Sequence, residues 1–344
     1  MRATYLLPIR RTDFGESEAA DLREYFSMLS HAACEVIVID GSAPEIFARH
    51  HRTWANACRH EPVDPRFEFL NDKVNGVHTG VALATTEKII LADDDVRYTK
   101  LDIERVCALL DDFEVVRPQN YLVPLASSRC VSEHGQDVHA TLSFWARMES
   151  ARMLINRATL RTADYPGTCA FRRSPMLRCG EYDGDVLFDN EELIRHFARH
   201  GARICYAIDL FICKRPPTLR KWLEQRPRQA YEDFGLRFKT LVFTSLLPIA
   251  IVLALIDARV LLIFLLPIFI AFTGWLRGSA RKYFPLHICL FAPLWVFERA
   301  LSTYWAFYWL IARGGYPFGE RVLKKGIGRD WVEGGRIASA SSRK

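Results

Sequence analysis

The sequence predicts an α/β protein built on a mostly parallel sheet, followed by apolar helical segments. Three observations predict it. Short apolar runs alternate with amphipathic stretches through the first half, acidic clusters close two of those runs, and two uncharged 17-residue stretches follow Arg237.

Tyr5–Ile9 is the first expected strand, ended by Arg10 and Arg11. In Ser17–Ser30, Ala20, Leu22, Tyr25, Phe26 and Leu29 recur at helical spacing. Cys34–Ile39 is a β-branched strand that runs into Asp40-Gly41-Ser42. A helical stretch, Val77–Ala84, precedes a further buried strand, Lys88–Ala92, which runs into Asp93-Asp94-Asp95. Ligands of open α/β sheets bind beyond the carboxyl ends of the strands, so Asp40 and Asp93–Asp95 are expected to face one crevice. Phe144–Ile155 fits an interface helix and an ordinary packed helix equally well.

Thr240–Ile256 and Val260–Leu276 each sit at the lower limit for crossing a bilayer, about 17–25 residues. Both are apolar on every face, which a soluble helix rarely is. A third stretch, Tyr283–Ala312, is interrupted by Glu298 and Arg299 and carries Trp295, Tyr304, Trp305, Tyr308 and Trp309, an interfacial composition.

Of the 344 residues, half are apolar and a quarter charged, which excludes disorder, collagen and a polytopic transporter throughout. The net charge of +6 divides unequally. Residues 1–213 carry 25 basic and 32 acidic side chains (net −7), and residues 214–344 carry 21 and 8 (net +13). Eight Lys or Arg lie in Lys214–Lys239, three follow the second apolar stretch, and eight more lie in Arg313–Lys344. The positive-inside bias puts all three groups in the cytoplasm, which requires an even number of crossings. The expected plan is a cytoplasmic α/β domain (1–213), a basic juxtamembrane segment (214–239), a membrane region (240–312) and a basic cytoplasmic tail (313–344). Its spans are about 240–256 and 260–276, with 283–312 interfacial. Met1–Arg11 is too short in its apolar run to be an export signal. The nine cysteines contain no Cys-x-x-Cys pair, so they are expected to be reduced and no zinc site is expected. His50 and His51 are expected on a solvated helix face; His134 and His139 fall in the loop Ser127–Thr141.

Asp93 and Asp95, one residue apart at a strand end, can both reach a hard divalent cation. They do not stand alone. Asp40-Gly41-Ser42, Lys73-x-Asn75-Gly76-x-x-x-Gly80, Asp93-x-Asp95, Gly167-Thr168-Cys169-Ala170-Phe171-Arg172-Arg173, Phe188-Asp189-Asn190-Glu191-Glu192-Leu193 and Gln225-Arg226-Pro227-Arg228-Gln229 follow in order. In this order the sequence resembles the family 2 glycosyltransferases, over about residues 3–235. That family has the nucleotide-sugar-binding fold called GT-A, and membrane-bound members carry a Gln-x-x-Arg-Trp motif.

The resemblance implies roles. Asp40 would meet the nucleotide base, Lys73 and a tight Asn75-Gly76 turn would shape its pocket, and Asp93 and Asp94 would contact the nucleotide sugar. Asp95, with Asp93, would ligate Mg²⁺ or Mn²⁺. Gln225, Arg226 and Arg228 would close over the diphosphate, and Gly167, Arg172 and Arg173 would lie on the acceptor side. Asp189 is the first choice for the general base and Glu191 the second, because Asn190 stands where the family keeps its Asp. Glu192 is expected to pair with Arg195 or Arg173.

The implied activity is metal-dependent, inverting transfer of one sugar from a nucleotide-sugar donor, most often UDP-linked, to a membrane lipid or lipid-linked acceptor. The enzyme would sit in the cytoplasmic (inner) membrane. Gln229 in place of the motif's Trp and the small membrane region argue against a processive polysaccharide synthase. A nucleotidyltransferase would need a Gly-rich phosphate loop, which Pro8-Ile9-Arg10-Arg11 does not provide. An inactive scaffold of the same fold is favoured only by Asn190. Nucleic acid is not needed as a partner, because the basic excess belongs with the membrane segments.

Overall fold

The computed structural model describes residues 2–32, 34–123, 142–319 and 321–328. His134, His139 and the tail from residue 329 lie outside the described residues. In chain order the first elements are β1 (Ala3–Ile9), α1 (Glu16–His31), β2 (Cys34–Asp40), α2 (Pro44–Trp54), β3 (Arg59–Pro62), α3 (Asp72–Leu83), β4 (Lys88–Ala92), β5 (Val96–Arg97) and α4 (Lys100–Asp112). They are followed by β6 (Val115–Leu122), α5 (Phe144–Thr159), β7 (Thr168–Arg172), α6 (Arg173–Cys179), α7 (Asp189–Arg199), β8 (Ile204–Lys214) and α8 (Leu219–Glu232). The C-terminal part holds α9 (Arg237–Ile256), α10 (Leu266–Leu276), α11 (Ala292–Ala312), β9 (Tyr316–Phe318) and β10 (Arg321–Leu323).

Eight strands form one sheet in the order β3-β2-β1-β4-β7-β6-β8-β5. The pairs β2–β3, β1–β2, β1–β4 and β6–β8 are parallel, while β7 runs against both its neighbours and β5 against β8. The expected class, a mostly parallel α/β sheet flanked by helices, is the one observed.

Alternation along each strand feeds two cores. Tyr5, Leu7, Val36 and Val38 pack with Leu22, Phe26 and Leu29 of α1 and Val106 and Leu110 of α4. Leu6, Ile37 and Ile39 face the other way, against Val74, Val77 and Val81 of α3 and Leu193 and Phe197 of α7. Asn75-Gly76 is part of α3, not a tight turn. Its glycines let the helix approach β1: a Cβ on Gly76 would lie 2.8 Å from the Pro8 Cβ, and one on Gly80 2.0 Å from a Leu6 methyl.

The apolar C-terminal part differs from a two-span hairpin. Among the described residues, only the helix over Phe238–Ile256 is long and apolar enough to cross a membrane, and 6% of it is buried. The second apolar stretch starts as a 3₁₀ run, Ala258–Leu265, and continues as the 11-residue α10. Pro267, Ala271 and Gly274 of α10 are buried, and Gly274 lies so close to α5 that a Cβ would come 2.0 Å from the Leu154 carbonyl oxygen. α5 is accordingly a packed helix; Met148, Ala151, Met153 and Leu154 join Trp222, Phe243, Ala271 and Trp295 in a third core. The outer face remains apolar, with Leu255 84%, Ile256 77% and Phe269 66% exposed.

Among the described residues seven cysteines are free, while Cys213 is disulfide-bonded, so the expectation of uniformly reduced thiols fails there.

Candidate active site

Strand register brings the site together. Ala92 pairs with Thr168, which sets Asp93 beside Gly167; the Asp93 N–H donates to the Gly167 carbonyl at 3.1 Å. Leu6 of β1 pairs with Leu91 of β4 in parallel, so both strands end on the same side and Arg11 reaches Asp94 of the acidic triplet. Val96 of β5 pairs with Lys214 at the end of β8, so that lysine also reaches it. The result is a cavity of about 400 Å³ beyond the strand ends, and its walls include Asp93, Asp94, Asp95, Lys73, Asp189 and Arg228.

Four cations surround the triplet. Lys73 Nζ lies 2.8 Å from Asp93 Oδ1 and 3.0 Å from Asp189 Oδ2, and it donates to Asn190 Oδ1 at 3.0 Å. Arg11 pairs with Asp94; Lys214 lies 3.4 Å and Lys221 3.5 Å from Asp95. Burial opposes ionisation of Asp93, but Lys73 and Lys214 outweigh it and hold its carboxyl below the usual range. Asp94 is lowered in the same way, with Lys221 and Arg11 overcoming burial. Asp95 Oδ1 is buried and makes no hydrogen bond among the described residues; Lys214 Nζ, at 3.4 Å, is ion-paired to it without one. A buried carboxylate oxygen that makes no hydrogen bond, beside Asp93, suits a hard oxygen-binding cation, so the residues present fit Mg²⁺ or Mn²⁺.

α8 supplies the opposite wall. Lys221, Gln225, Arg228 and Glu232 are spaced i, i+4, i+7 and i+11, on one helical face, and all four line the cavity. Arg226 sits about 100° round the helix. Its guanidinium is buried against Glu149 at 3.0 Å and Glu298 at 3.5 Å, so it ties α8 to α5 and α11 instead of facing the cavity. Glu232 bonds Arg228 at 3.1 Å, yet burial raises its carboxyl to about 7.

Other expected site residues lie elsewhere. The Asp40 carboxylate is buried and accepts from His50 Nδ1 at 2.7 Å, His60 Nε2 at 3.2 Å and the Ser42 N–H at 2.8 Å. Against burial, those bonds hold it far below the usual carboxylate range. It does not line the cavity, and His50 is a buried partner instead of a solvated surface residue. Glu191 lies behind the cavity, 2.8 Å from Arg117 and 3.6 Å from Arg195, and Glu192 pairs with Arg199, not with Arg195 or Arg173. Arg172 and Arg173 stand at the far end of β7, where Arg172 meets Glu87 at 3.1 Å and Arg173 donates to the Val81 carbonyl at 2.9 Å; only Gly167 of that segment lines the cavity.

Sequence reasoning passed over Arg11, Lys214, Lys221 and Glu232. Lys214 and Lys221 were counted with the basic collar, and the signal that separates them from it is the helical spacing of Lys221 with Gln225 and Arg228. Beyond Glu232, toward α9 and α11, the cavity is lined by Gln229, Asp233, Lys239, Trp295 and Arg299. Arg299 bonds Gln229 Oε1 at 3.1 Å, and its Nη1 is buried with no hydrogen-bond partner among the described residues.

No family model matches the chain, and no curated protein matches it. Among solved structures it is similar to a mannosyltransferase from Pyrobaculum calidifontis in complex with GDP-Man and Mn²⁺, with 15% identity over 88% of this chain and 87% of that one and a TM-score of 0.46. It is similar also to the glucosyl-3-phosphoglycerate synthase of Mycobacterium tuberculosis (15% identity, 66% and 76% of the two chains, TM-score 0.40). A third is a nucleotide-diphospho-sugar transferase from Desulfovibrio desulfuricans G20 (6% identity, 63% and 81%, TM-score 0.33).

Proposed function

We propose that this chain is a metal-dependent, inverting glycosyltransferase that moves one sugar from a nucleotide-sugar donor, UDP-linked by the family resemblance, to a lipid acceptor at the cytoplasmic membrane surface. The observation that carries the reading is the pair Asp93 and Asp95, one Asp95 oxygen buried and making no hydrogen bond among the described residues, in a cavity whose far wall is the basic face of α8. Asp93 and Asp95 would hold Mg²⁺ or Mn²⁺, which supplies positive charge to the departing diphosphate. Lys221, Gln225 and Arg228 bind the diphosphate oxygens, and Lys73 fixes Asp189 and Asn190 at the start of α7. The acceptor oxygen attacks the anomeric carbon as the bond from that carbon to the diphosphate oxygen breaks, so the nucleoside diphosphate leaves with the bonding pair. A carboxylate takes the acceptor's proton. Asp189 and Glu232 are the candidates that line the cavity, and Glu191 is occupied by two arginines.

The exposed apolar face of α9 and α10 and the extension of the cavity toward α9 and α11 support a lipid acceptor. A second reading follows from Arg299 and Lys239: an acceptor carrying an ionised phosphate would be met by them and would need no base.

The test is transfer from a panel of labelled nucleotide sugars in membranes containing the protein, followed by analysis of the lipid extract. Asp95→Ala is expected to abolish labelling; unchanged transfer by the variant would remove Asp95 from the site. Label confined to long polymer would exclude single transfer.

A further inference from the structure

The second core-facing side of α7 carries a cluster that the donor cavity does not use. α6 ends at Cys179, and Gly180, at φ 74°, turns the chain away. His196 of α7 and His200, which caps its C-terminus, are one turn apart and lie on one side, which meets the end of α6. The Cys179 sulfur and one ring nitrogen of each histidine lie within 4.8 Å of one another. His196 is buried, Cys179 half-buried and His200 exposed, so the cluster opens to solvent on one side.

Both rings are oriented by the main chain. His196 Nε2 lies 3.1 Å from the Gly180 carbonyl and His200 Nδ1 2.8 Å from the His196 carbonyl. A carbonyl only accepts, so each of these nitrogens is placed to donate, and a ring that gives up its second proton offers the other nitrogen's lone pair to an ion. A ring nitrogen donating to a backbone carbonyl is the usual outer support of a metal-bound histidine. The spacing His-x₃-His also falls in the range that binds zinc from a helix.

We propose that Cys179, His196 and His200 form a second cation site, for zinc or a similar thiophilic divalent ion. Three protein ligands leave a fourth position to water. A thiolate with two imidazoles selects such an ion, whereas the all-carboxylate set of Asp93 and Asp95 selects Mg²⁺ or Mn²⁺, so the two sites would not compete. Zn–S and Zn–N bonds of about 2.3 and 2.0 Å require the ligand atoms to close to roughly 3.5 Å, a shift of about 1 Å at side-chain ends. The bound ion would pin the end of α6 to the last turn of α7, whose first turn carries Asp189 into the cavity, about 10 Å away. The site does not depend on the activity proposed above.

The test uses the full chain in detergent, stripped with chelator and titrated with Co²⁺. One equivalent should give tetrahedral cobalt bands with a thiolate charge-transfer band. Zn²⁺ should erase the bands, and Mg²⁺ should not. Cys179→Ser should lose the charge-transfer band, and His200→Ala, at an exposed position, should weaken binding by tenfold or more with unchanged melting in the metal-free state. Asp95→Asn should bind Co²⁺ at this site as the parent does. Absence of the thiolate band, its persistence in Cys179→Ser, or undiminished binding by His200→Ala would overturn the proposal.

Discussion

Glu232 is a residue whose surroundings shift its ordinary ionisation. Its carboxyl titrates at about 7 because burial outweighs the pull of Arg228, with Asp233 and Asp189 adding repulsion. An acid raised in the folded state contributes stability that is full below its unfolded value of about 4.5 and is lost as pH rises through about 7. Glu232→Gln should therefore gain on the parent across that window, by about 3 kcal/mol once both curves level off. Melting temperature against pH checks it, and a constant offset between the two proteins would disprove the shift. If Glu232 takes the acceptor proton, the same substitution lowers the transfer rate and removes its acidic limb near pH 7; a variant that keeps the parent's rate would exclude Glu232 as the base. Gly167 makes a second prediction. A Cβ there would lie 2.3 Å from Asp93 Oδ2 and 3.0 Å from Lys214 Nζ. Gly167→Ala should turn Asp93 aside and cost on the order of 10²-fold in transfer, with melting little changed. Full activity in this variant would show that the Asp93 orientation is not needed.

At the scale of elements, what was legible follows from periodicity. β1, β2 and β4 were readable because β-branched and apolar runs bounded by Arg or Asp clusters have few alternatives. β7, β6 and the two-residue β5 were not, since nothing in Thr168–Arg172 marks a strand inserted against the direction of its neighbours. The Gln225/Arg228 pair was legible as a motif, but Arg226 was misplaced because the motif was read as a run instead of a helix face. Asp40 was misplaced because its two histidine partners come from α2 and β3, which no local pattern joins to it. In α10, uniform apolarity suggested a membrane span, yet Pro267, Ala271 and Gly274 make a small-residue stripe that lets the helix lie on α5. Gly274→Val should force these helices apart and lower stability by about 2–3 kcal/mol or more. Chemical or thermal unfolding in detergent measures it, and a parent-like curve would mean that the contact is loose.

For the whole molecule, apolar surface and basic charge lie in the same C-terminal third, and they predict different salt responses. Screening falls to about 3 Å at 1 M salt, which would release a protein held only by charge. The exposed Leu255, Ile256 and Phe269 should keep this one on floated lipid vesicles under those conditions, and Leu255→Lys with Ile256→Lys should loosen it. Release of the parent by salt alone would make the attachment peripheral. The ring of Arg11, Lys73, Lys214 and Lys221 has a further consequence for how the cavity fills. These groups pair with the acids, so a cation binding at Asp93 and Asp95 would have to displace them. A diphosphate entering alone would meet lysines already engaged and three carboxylates of its own sign. Entering together, cation and diphosphate exchange partners with the ring, and each frees the groups the other requires. On the proposed reading their occupancies would be thermodynamically linked: the metal–nucleotide pair would be held more tightly than either member, and the release of one would loosen the other.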